Sequence, residues 1–309
     1  MDTLRIRLFG RLELVLGDRA LPAFPTRTAK SLFCFLVVNR RRMFPRSVLL
    51  GHFWDELDES SARRNLRTAL WRMRRVIEPP GVPAGSFLRV EDDCIGFAPR
   101  ADCWIDAEEF ERGVTDIARR VARGEEPGAD GLESVLAHYR GDLLDDLYDD
   151  WCTFERERFR LSFLTTLERL AVHHAEREQW HDALASGRTL LHHDPLREHV
   201  HRLVMRCHWR AGNRPAALLQ YESCARLLHA ELGIAPMPET SALRDALLRA
   251  EPLRDAADAE ASRHSPARPR RWAAGASVIR DLETAAAHLE HARARVFHEL
   301  RDDPPLRPS

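Results

Sequence analysis

The sequence predicts a mainly α-helical chain with a small amount of β structure, divided between two domains. Three observations carry that expectation. The first 103 residues mix alternating apolar segments with amphipathic ones. From Trp104 to about residue 250 the apolar period is helical almost throughout, and within that stretch a five-residue pattern recurs at a spacing of 34 residues. At 309 residues and 44% hydrophobic composition the chain is long enough for two cores.

The elements follow in order. Leu4, Ile6 and Leu8 alternate, as do Leu12, Leu14 and Leu16 beyond Gly10, and Gly17-Asp18 supplies a turn before Ala20-Leu21, which predicts a small antiparallel sheet. Thr26 is placed to cap a helix over Arg27 to Val38, with Ala29, Leu32, Phe33, Leu36 and Val37 among its apolar positions. A short helix is expected from Arg46 to about Trp54. Asp58-Glu59-Ser60-Ser61 then provides a turn and cap for a long helix from about Ala62 to Ile77, which Pro79-Pro80 ends. Phe87 to Val90 and Cys94 to Phe97 flank an acidic turn and read as a hairpin. Sheet, three helices and terminal hairpin in this order make a winged helix-turn-helix over residues 1–103.

Residues 104–250 read as an all-α, tetratricopeptide-like repeat domain, broken by a Gly/Pro-rich loop near Gly124 to Gly131. Trp180-His181-Asp182-Ala183-Leu184 and Arg214-Pro215-Ala216-Ala217-Leu218 each open a helix after a polar turn. Asp194-Pro195 is expected to close the second helix of one unit, and Gly212-Asn213 to break the next pair. Residues 251–274 form a linker whose Arg263 to Arg271 is basic and proline-containing. A C-terminal helix over 275–301 follows, with Val278, Leu282, Ala285, Leu289, Ala292, Val296 and Leu300 at spacings of four and three. It reads equally as a short coiled-coil seam or as a helix packed on the repeats.

Charge points to a partner. Lys and Arg balance Asp and Glu to a net −1, but up to Cys103 there are 18 basic against 12 acidic residues, so +6 lies there and −7 in the remainder. A basic excess confined to the winged helix is the footprint of a polyanion. No run approaches the ~18 apolar residues of a membrane helix, so a cytoplasmic protein with no membrane partner is expected. Cys34, Cys94, Cys103, Cys152, Cys207 and Cys224 show no C-x-x-C spacing and read as reduced thiols.

The third helix is the most specific segment. On a wheel of 3.6 residues per turn Leu66, Ala69, Leu70, Met73, Val76 and Ile77 share one arc. Arg64, Arg67, Thr68, Trp71 and Arg75 gather opposite, with Arg63, Arg72 and Arg74 at the edges, and no acidic residue interrupts Ser61 to Ile77. Six arginines without local counter-charges repel one another unless a polyanion is near. Arginine also reads guanine O6 and N7 in a bidentate manner, and a threonine meets a thymine methyl or a base edge. Arg64, Arg67, Thr68, Trp71 and Arg75 are therefore the base-contact candidates, although Trp71 is equally suited to sugar and backbone or to covering the wing. Phosphate-contact candidates are Thr26, Arg27 and Thr28 at a helix start, Arg63, Arg72 and Arg74 on the third helix, and Arg89 and Arg100 at the wing, whose tip, Glu91-Asp92-Asp93, is acidic. Arg40, Arg41 and Arg42 form a second cluster, facing phosphate or merely solvated.

Together these features resemble the Streptomyces antibiotic regulatory protein (SARP) family, in which an OmpR-type winged helix precedes a bacterial transcriptional activator domain. The resemblance covers roughly residues 4 to 250. It rests on Leu8-Phe9-Gly10, Arg27-x-x-Lys30, Ser61-Ala62-Arg63-Arg64-Asn65-Leu66 through Arg75, Trp104-Ile105-Asp106-Ala107-Glu108-Glu109-Phe110, Tyr139-Arg140-Gly141-Asp142-Leu143-Leu144, Trp151, and Glu155-Arg156-Glu157-Arg158. It implies a transcription activator that binds direct repeats as a head-to-tail pair and recruits RNA polymerase through its sigma and other subunits. Gly85-Ser86-Phe87 replaces the usual Pro-Pro-Gly-Tyr-like approach to the wing. No Gly-x-x-x-x-Gly-Lys-Ser/Thr segment occurs, so no nucleotide-driven step is expected.

The sequence leaves two other readings. An enzyme or metal protein would draw on His173-His174, His192-His193, His199, His201 and His208, but none has a ligand spacing, so neither catalysis nor a cofactor or metal is expected. A tetratricopeptide-like scaffold, sensing a ligand or protein on its repeats and using the winged helix for docking, differs in lacking the steep salt response of a DNA binder.

Overall fold

The computed structural model describes residues 2–40, 42–99 and 102–249. Arg41, Arg100, the linker and the C-terminal helix expected over 275–301 lie outside the described residues. The described residues divide into two compact units, the first built from residues 2–116 with Ala137–Arg160, and the second from Ile117–Leu136 with residues 161–249. The sequence boundary after Cys103 falls inside the first unit. No described helix is long and apolar enough to cross a membrane.

In the first unit, strands β1 (Leu4–Arg7), β2 (Glu13–Leu16) and β3 (Arg19–Ala20) form the expected antiparallel meander, with Leu4 opposite Leu16 and Ile6 opposite Leu14. Alternation puts Leu4, Ile6 and Leu8 fully inside. A fourth strand, β7 (Cys103–Ile105), adds in parallel to the free edge of β1, giving the order β3-β2-β1-β7. Helix α1 (Arg27–Val38) is capped by Thr26, whose Oγ1 accepts from the Ala29 amide at 3.3 Å. Strand β4 (Phe44–Pro45) leads into α2 (Arg46–Phe53) and then α3 (Glu59–Ile77). The hairpin β5 (Leu88–Glu91) and β6 (Cys94–Phe97) pairs Val90 with Ile95, and β4 extends it on the other side of β6. Phe33 of α1 meets Phe97 of β6 edge-on at 5.9 Å in the core beneath α3.

The motifs that carry the family resemblance converge inside this unit. The side chain of Asp106, 2% exposed, accepts from the amides of Leu8 at 2.8 Å, Phe9 at 3.1 Å and Ala107 at 2.7 Å, tying α4 (Asp106–Ala122) to the end of β1. Phe9 lies within 5.4 Å of the ring centroids of Phe110, Tyr139 and Phe159. Gly10 (φ +85°) lets its backbone approach Gly141, so the Gly10 amide donates to Asp142 O and the Leu144 amide to Leu8 O. Arg156, on α6 (Asp150–Glu176), donates to the carbonyls of Leu143, Leu144 and Leu147. The cysteines are all free thiols, and burial raises Cys34, Cys103, Cys152, Cys207 and Cys224, with Cys152 pushed up to about 11.

The second unit includes α5 (Ala129–Leu136), α7 (Trp180–His193), α8 (Glu198–Arg210), α9 (Arg214–Leu232) and α10 (Pro238–Arg249). Trp180 and Arg214 open helices, and the equivalent alanines Ala183 and Ala217 are 1% and 0% exposed, as close helix contact requires. One assignment is corrected. Asp194 caps the C-terminus of α7, so Asp194-Pro195 closes the first helix of its unit and α8 is the second. Asn213 caps α9 through the Ala216 amide, and Met205, Ala217, Leu243 and Leu247 form the core shared by α8, α9 and α10.

Candidate nucleic-acid interface

Helix α3 begins at Glu59, three residues earlier than the hydrophobic period implies. The Asp58 carboxylate accepts from the amides of Ser60 and Ser61, both at 3.0 Å, satisfying two free N–H groups of the first turn. Hydrogen bonds from the Ser61 and Ser60 side chains, with the Ser61 amide adding to them, hold the Asp58 carboxyl well below the usual range. Leu66, Ala69, Leu70, Met73, Val76 and Ile77 are all buried, against α1 and α2. The wheel is therefore correct on its apolar side.

The outer face has the expected composition. Arg64, Arg67, Trp71 and Arg75 are exposed, while Thr68, Arg72 and Arg74 are half-buried at its margins. Between Arg64 and Arg75 the helix rises about 16 Å, a length matched to the floor of a major groove. The Thr68 hydroxyl donates to the Arg64 carbonyl at 3.0 Å, leaving its methyl and oxygen lone pairs outward. Trp71 is 57% exposed, and the Arg75 guanidinium carbon stands 4.9 Å from its ring centroid.

The expectation of six unpaired arginines needs correction at two positions. Because the helix reaches back to Glu59, Arg63 donates to it at 2.5 Å, and Arg74 lies 4.0 Å from Glu78. Among the described residues Arg64, Arg67, Arg72 and Arg75 have no acidic partner. These four are the least compensated charges on the helix, and Arg64, Arg67 and Arg75 are exposed on its outer face.

Glu78 is a site residue that sequence reasoning missed. Its side chain accepts from the amides of Gly85 at 3.0 Å, Phe87 at 3.1 Å and Leu88 at 3.3 Å. A carboxylate at the end of α3 thus fixes the start of the wing, where Gly85-Ser86-Phe87 departs from the family pattern. The only local signal was an acidic residue directly after a basic helix. At the wing Arg89 donates to Glu91, and the tip residue Asp93 lies 3.5 Å from Arg46 at the start of α2.

The phosphate candidates at the start of α1 are differently placed from those on α3. Thr26 spends its oxygen on the cap. Arg27 remains 64% exposed with Asp149 at 3.9 Å, and Lys30 is held by Asp146 at 2.7 Å. Thr28 is half-buried on the same turn. Arg40 is neither phosphate-facing nor solvated. Its side chain is 7% exposed and bonds Glu111 at 2.7 Å with Glu108 at 3.2 Å, while Arg158 takes the other oxygen of Glu111 at 2.6 Å. Burial pushes the Glu111 carboxyl up, and the Arg158 and Arg40 guanidiniums more than reverse it, leaving it below the ordinary range.

Comparison with known proteins supplies relatives. Residues 105–248 match the model of the bacterial transcriptional activator domain. The regulatory protein AfsR of Streptomyces griseus is 26% identical over 259 residues, covering 81% of this chain but 25% of AfsR. The transcriptional regulatory proteins EmbR and MoaR1 of Mycobacterium tuberculosis are 25% and 26% identical, the matches covering 91% and 81% of this chain and 70% and 81% of theirs. The solved structure of M. tuberculosis EmbR in complex with a low affinity phosphopeptide superposes with a TM-score of 0.65 at 23% identity, over 85% of this chain and 69% of that one, and has the same winged-helix plus helical fold. Residues 105–248 thus match the bacterial transcriptional activator domain, and over most of its length the chain is similar to the regulatory proteins AfsR, EmbR and MoaR1.

Proposed function

We propose that this chain is a sequence-specific, double-stranded DNA-binding transcriptional activator that acts in the cytoplasm by binding and not by catalysis. The observation that carries the reading is the outer face of α3, where Arg64 and Arg67 project without acidic partners among the described residues beside Thr68, Trp71 and Arg75. Arg64, Arg67, Thr68 and Arg75 are assigned to base edges in the major groove, where a guanidinium fork matches guanine. Arg72, Arg63 and Arg74 flank them toward the phosphates, with Arg27, Thr28 and Arg89 as outlying backbone contacts. The activator domain and the regulatory relatives support a role in transcription regulation, and in this reading a pair of chains bound head to tail on direct repeats recruits RNA polymerase.

The test is a fluorescence-anisotropy titration of the full chain on a duplex selected from a randomised pool, and on its scrambled counterpart, across a range of salt. The reading expects affinity to fall steeply with salt on both duplexes, with the selected one bound at least ~10³-fold tighter at physiological salt. Salt-insensitive binding, or no preference, would remove it. The scaffold reading keeps one supporting observation, the exposed Leu219, Leu232, Ile234, Met237 and Leu248 on α9, α10 and their connection. A protein partner on that surface is compatible with DNA binding by α3.

A further inference from the structure

Trp71 and Arg75 stand one turn apart on the outer face of α3, and their geometry points to a division of labour. We infer that Trp71 is a positioning residue, an indole platform that holds Arg75 extended over the groove-facing surface so that Arg75 makes the base contact. This rests on the DNA-binding reading of α3 and adds to it which of the two side chains reads.

Three observations carry the inference. The Arg75 guanidinium carbon lies 4.9 Å from the Trp71 ring centroid, inside the ~6 Å reach of a cation–π contact, and an i,i+4 spacing on a helix brings such side chains together. The indole is 57% exposed, so its face is available as a platform instead of being used in the core. The acidic residue nearest in sequence to Arg75 is Glu78, and its side chain, only 3% exposed, is already engaged by three backbone amides and lies beside Arg74.

The mode of anchoring decides what Arg75 can still do. A carboxylate partner would occupy the in-plane N–H edge of the guanidinium, the same edge that a guanine requires. Stacking occupies the flat face and leaves all five N–H groups free. A free arginine loses much rotamer freedom when it is fixed at an interface, and a side chain held in advance loses less.

The experiment is a double-mutant cycle on the full chain with the pool-selected duplex and its scrambled counterpart, using Trp71→Phe, Trp71→Leu, Arg75→Ala and the double variant Trp71→Leu/Arg75→Ala. Trp71→Leu is expected to weaken the selected duplex about 5-fold, while Trp71→Phe, which keeps an aromatic face, costs less than about twofold. In the Arg75→Ala background Trp71→Leu should have no further effect, because the platform then has nothing to hold. An equal loss with and without Arg75 would overturn the inference, since Trp71 would then touch DNA by itself. Nuclear magnetic resonance of the free protein gives a second readout: the Arg75 side-chain protons should show a ring-current shift that survives Trp71→Phe and disappears in Trp71→Leu. A shift unchanged by Trp71→Leu would also overturn it. Wild-type binding that does not distinguish the two duplexes removes the DNA reading and this inference together, whereas additive losses on top of a strong preference remove only the inference.

Discussion

Replacing Asp106 with alanine should unfasten the end of β1 from the start of α4. Leu8 and Phe9 are 0% and 4% exposed, and their amides find in the Asp106 carboxylate the acceptor that water cannot replace. Each buried donor left without a partner costs about 1–3 kcal/mol, so the three donors that the carboxylate serves, the Ala107 amide included, cost about 3–9 kcal/mol. That is a large share of the roughly 5–15 kcal/mol of a folded domain. Asp106→Asn keeps one carbonyl acceptor but turns an N–H₂ toward a donor, so it should fall about midway. Urea denaturation followed by circular dichroism measures the loss, and hydrogen exchange at the Leu8 and Phe9 amides locates it. A stability within about 0.5 kcal/mol of wild type for Asp106→Ala, with those amides still protected, would refute the reasoning.

Other perturbations probe separate parts of the account. Glu111→Ala leaves the buried Arg40 and Arg158 facing one another across a vacated acceptor and should destabilise by about 3 kcal/mol in urea titrations, with Glu111→Gln milder. Because the Glu111 carboxyl is held below its ordinary range when folded, its contribution is present above the unfolded value and is lost as pH falls through the folded one. Gly187→Ala places a methyl 2.7 Å from Val204 Cγ2 where α7 meets α8. The overpacking cost of about 1–3 kcal/mol exceeds the ~1 kcal/mol gained in helix propensity, so Tm should fall. His201 is 2% exposed and neutral, with Nε2 donating to Pro195 O at 2.9 Å and Nδ1 accepting from Gln220 at 2.6 Å. Burial lowers its pKa, so stability is fully present above the unfolded value of about 6.5 and is lost as pH falls from there through the folded value. Thermal melts of wild type and His201→Leu from about pH 7.5 to about pH 5.5 should show a shallower pH slope in the variant.

Much of this architecture was legible because it is written in local patterns. The Thr26 cap, the buried stripe of α3 and the 34-residue spacing of Trp180 and Arg214 each follow from residues within a turn or two of one another, or from a repeat. Strand β7 was not legible, since Cys103-Trp104-Ile105 is short and becomes a strand only by joining β1 from 99 residues away. Arg40 shows the same limit. A run of three arginines after a helix reads as facing phosphate or as merely solvated, and only the tertiary fold brings Glu108 and Glu111 to its first member. The start of α3 was misjudged because the apolar period begins at Ala62, whereas the Asp58 side chain, a hydrogen-bond effect, sets the first turn. Asp106, Tyr139 and Arg156 stand in motifs that carry the family resemblance, and their hydrogen bonds within the first unit, made across the sequence, are not legible from those motifs alone.

Arg67→Ala, titrated against the pool-selected and scrambled duplexes beside Arg72→Ala, bears most directly on the claim that α3 reads sequence. Arg67→Ala should weaken the selected duplex by about 1–3 kcal/mol, roughly 5- to 150-fold, and scarcely change the scrambled one, while Arg72→Ala weakens both alike and reduces the salt slope by about one. Equal losses on both duplexes for Arg67→Ala, or none on either, would contradict it.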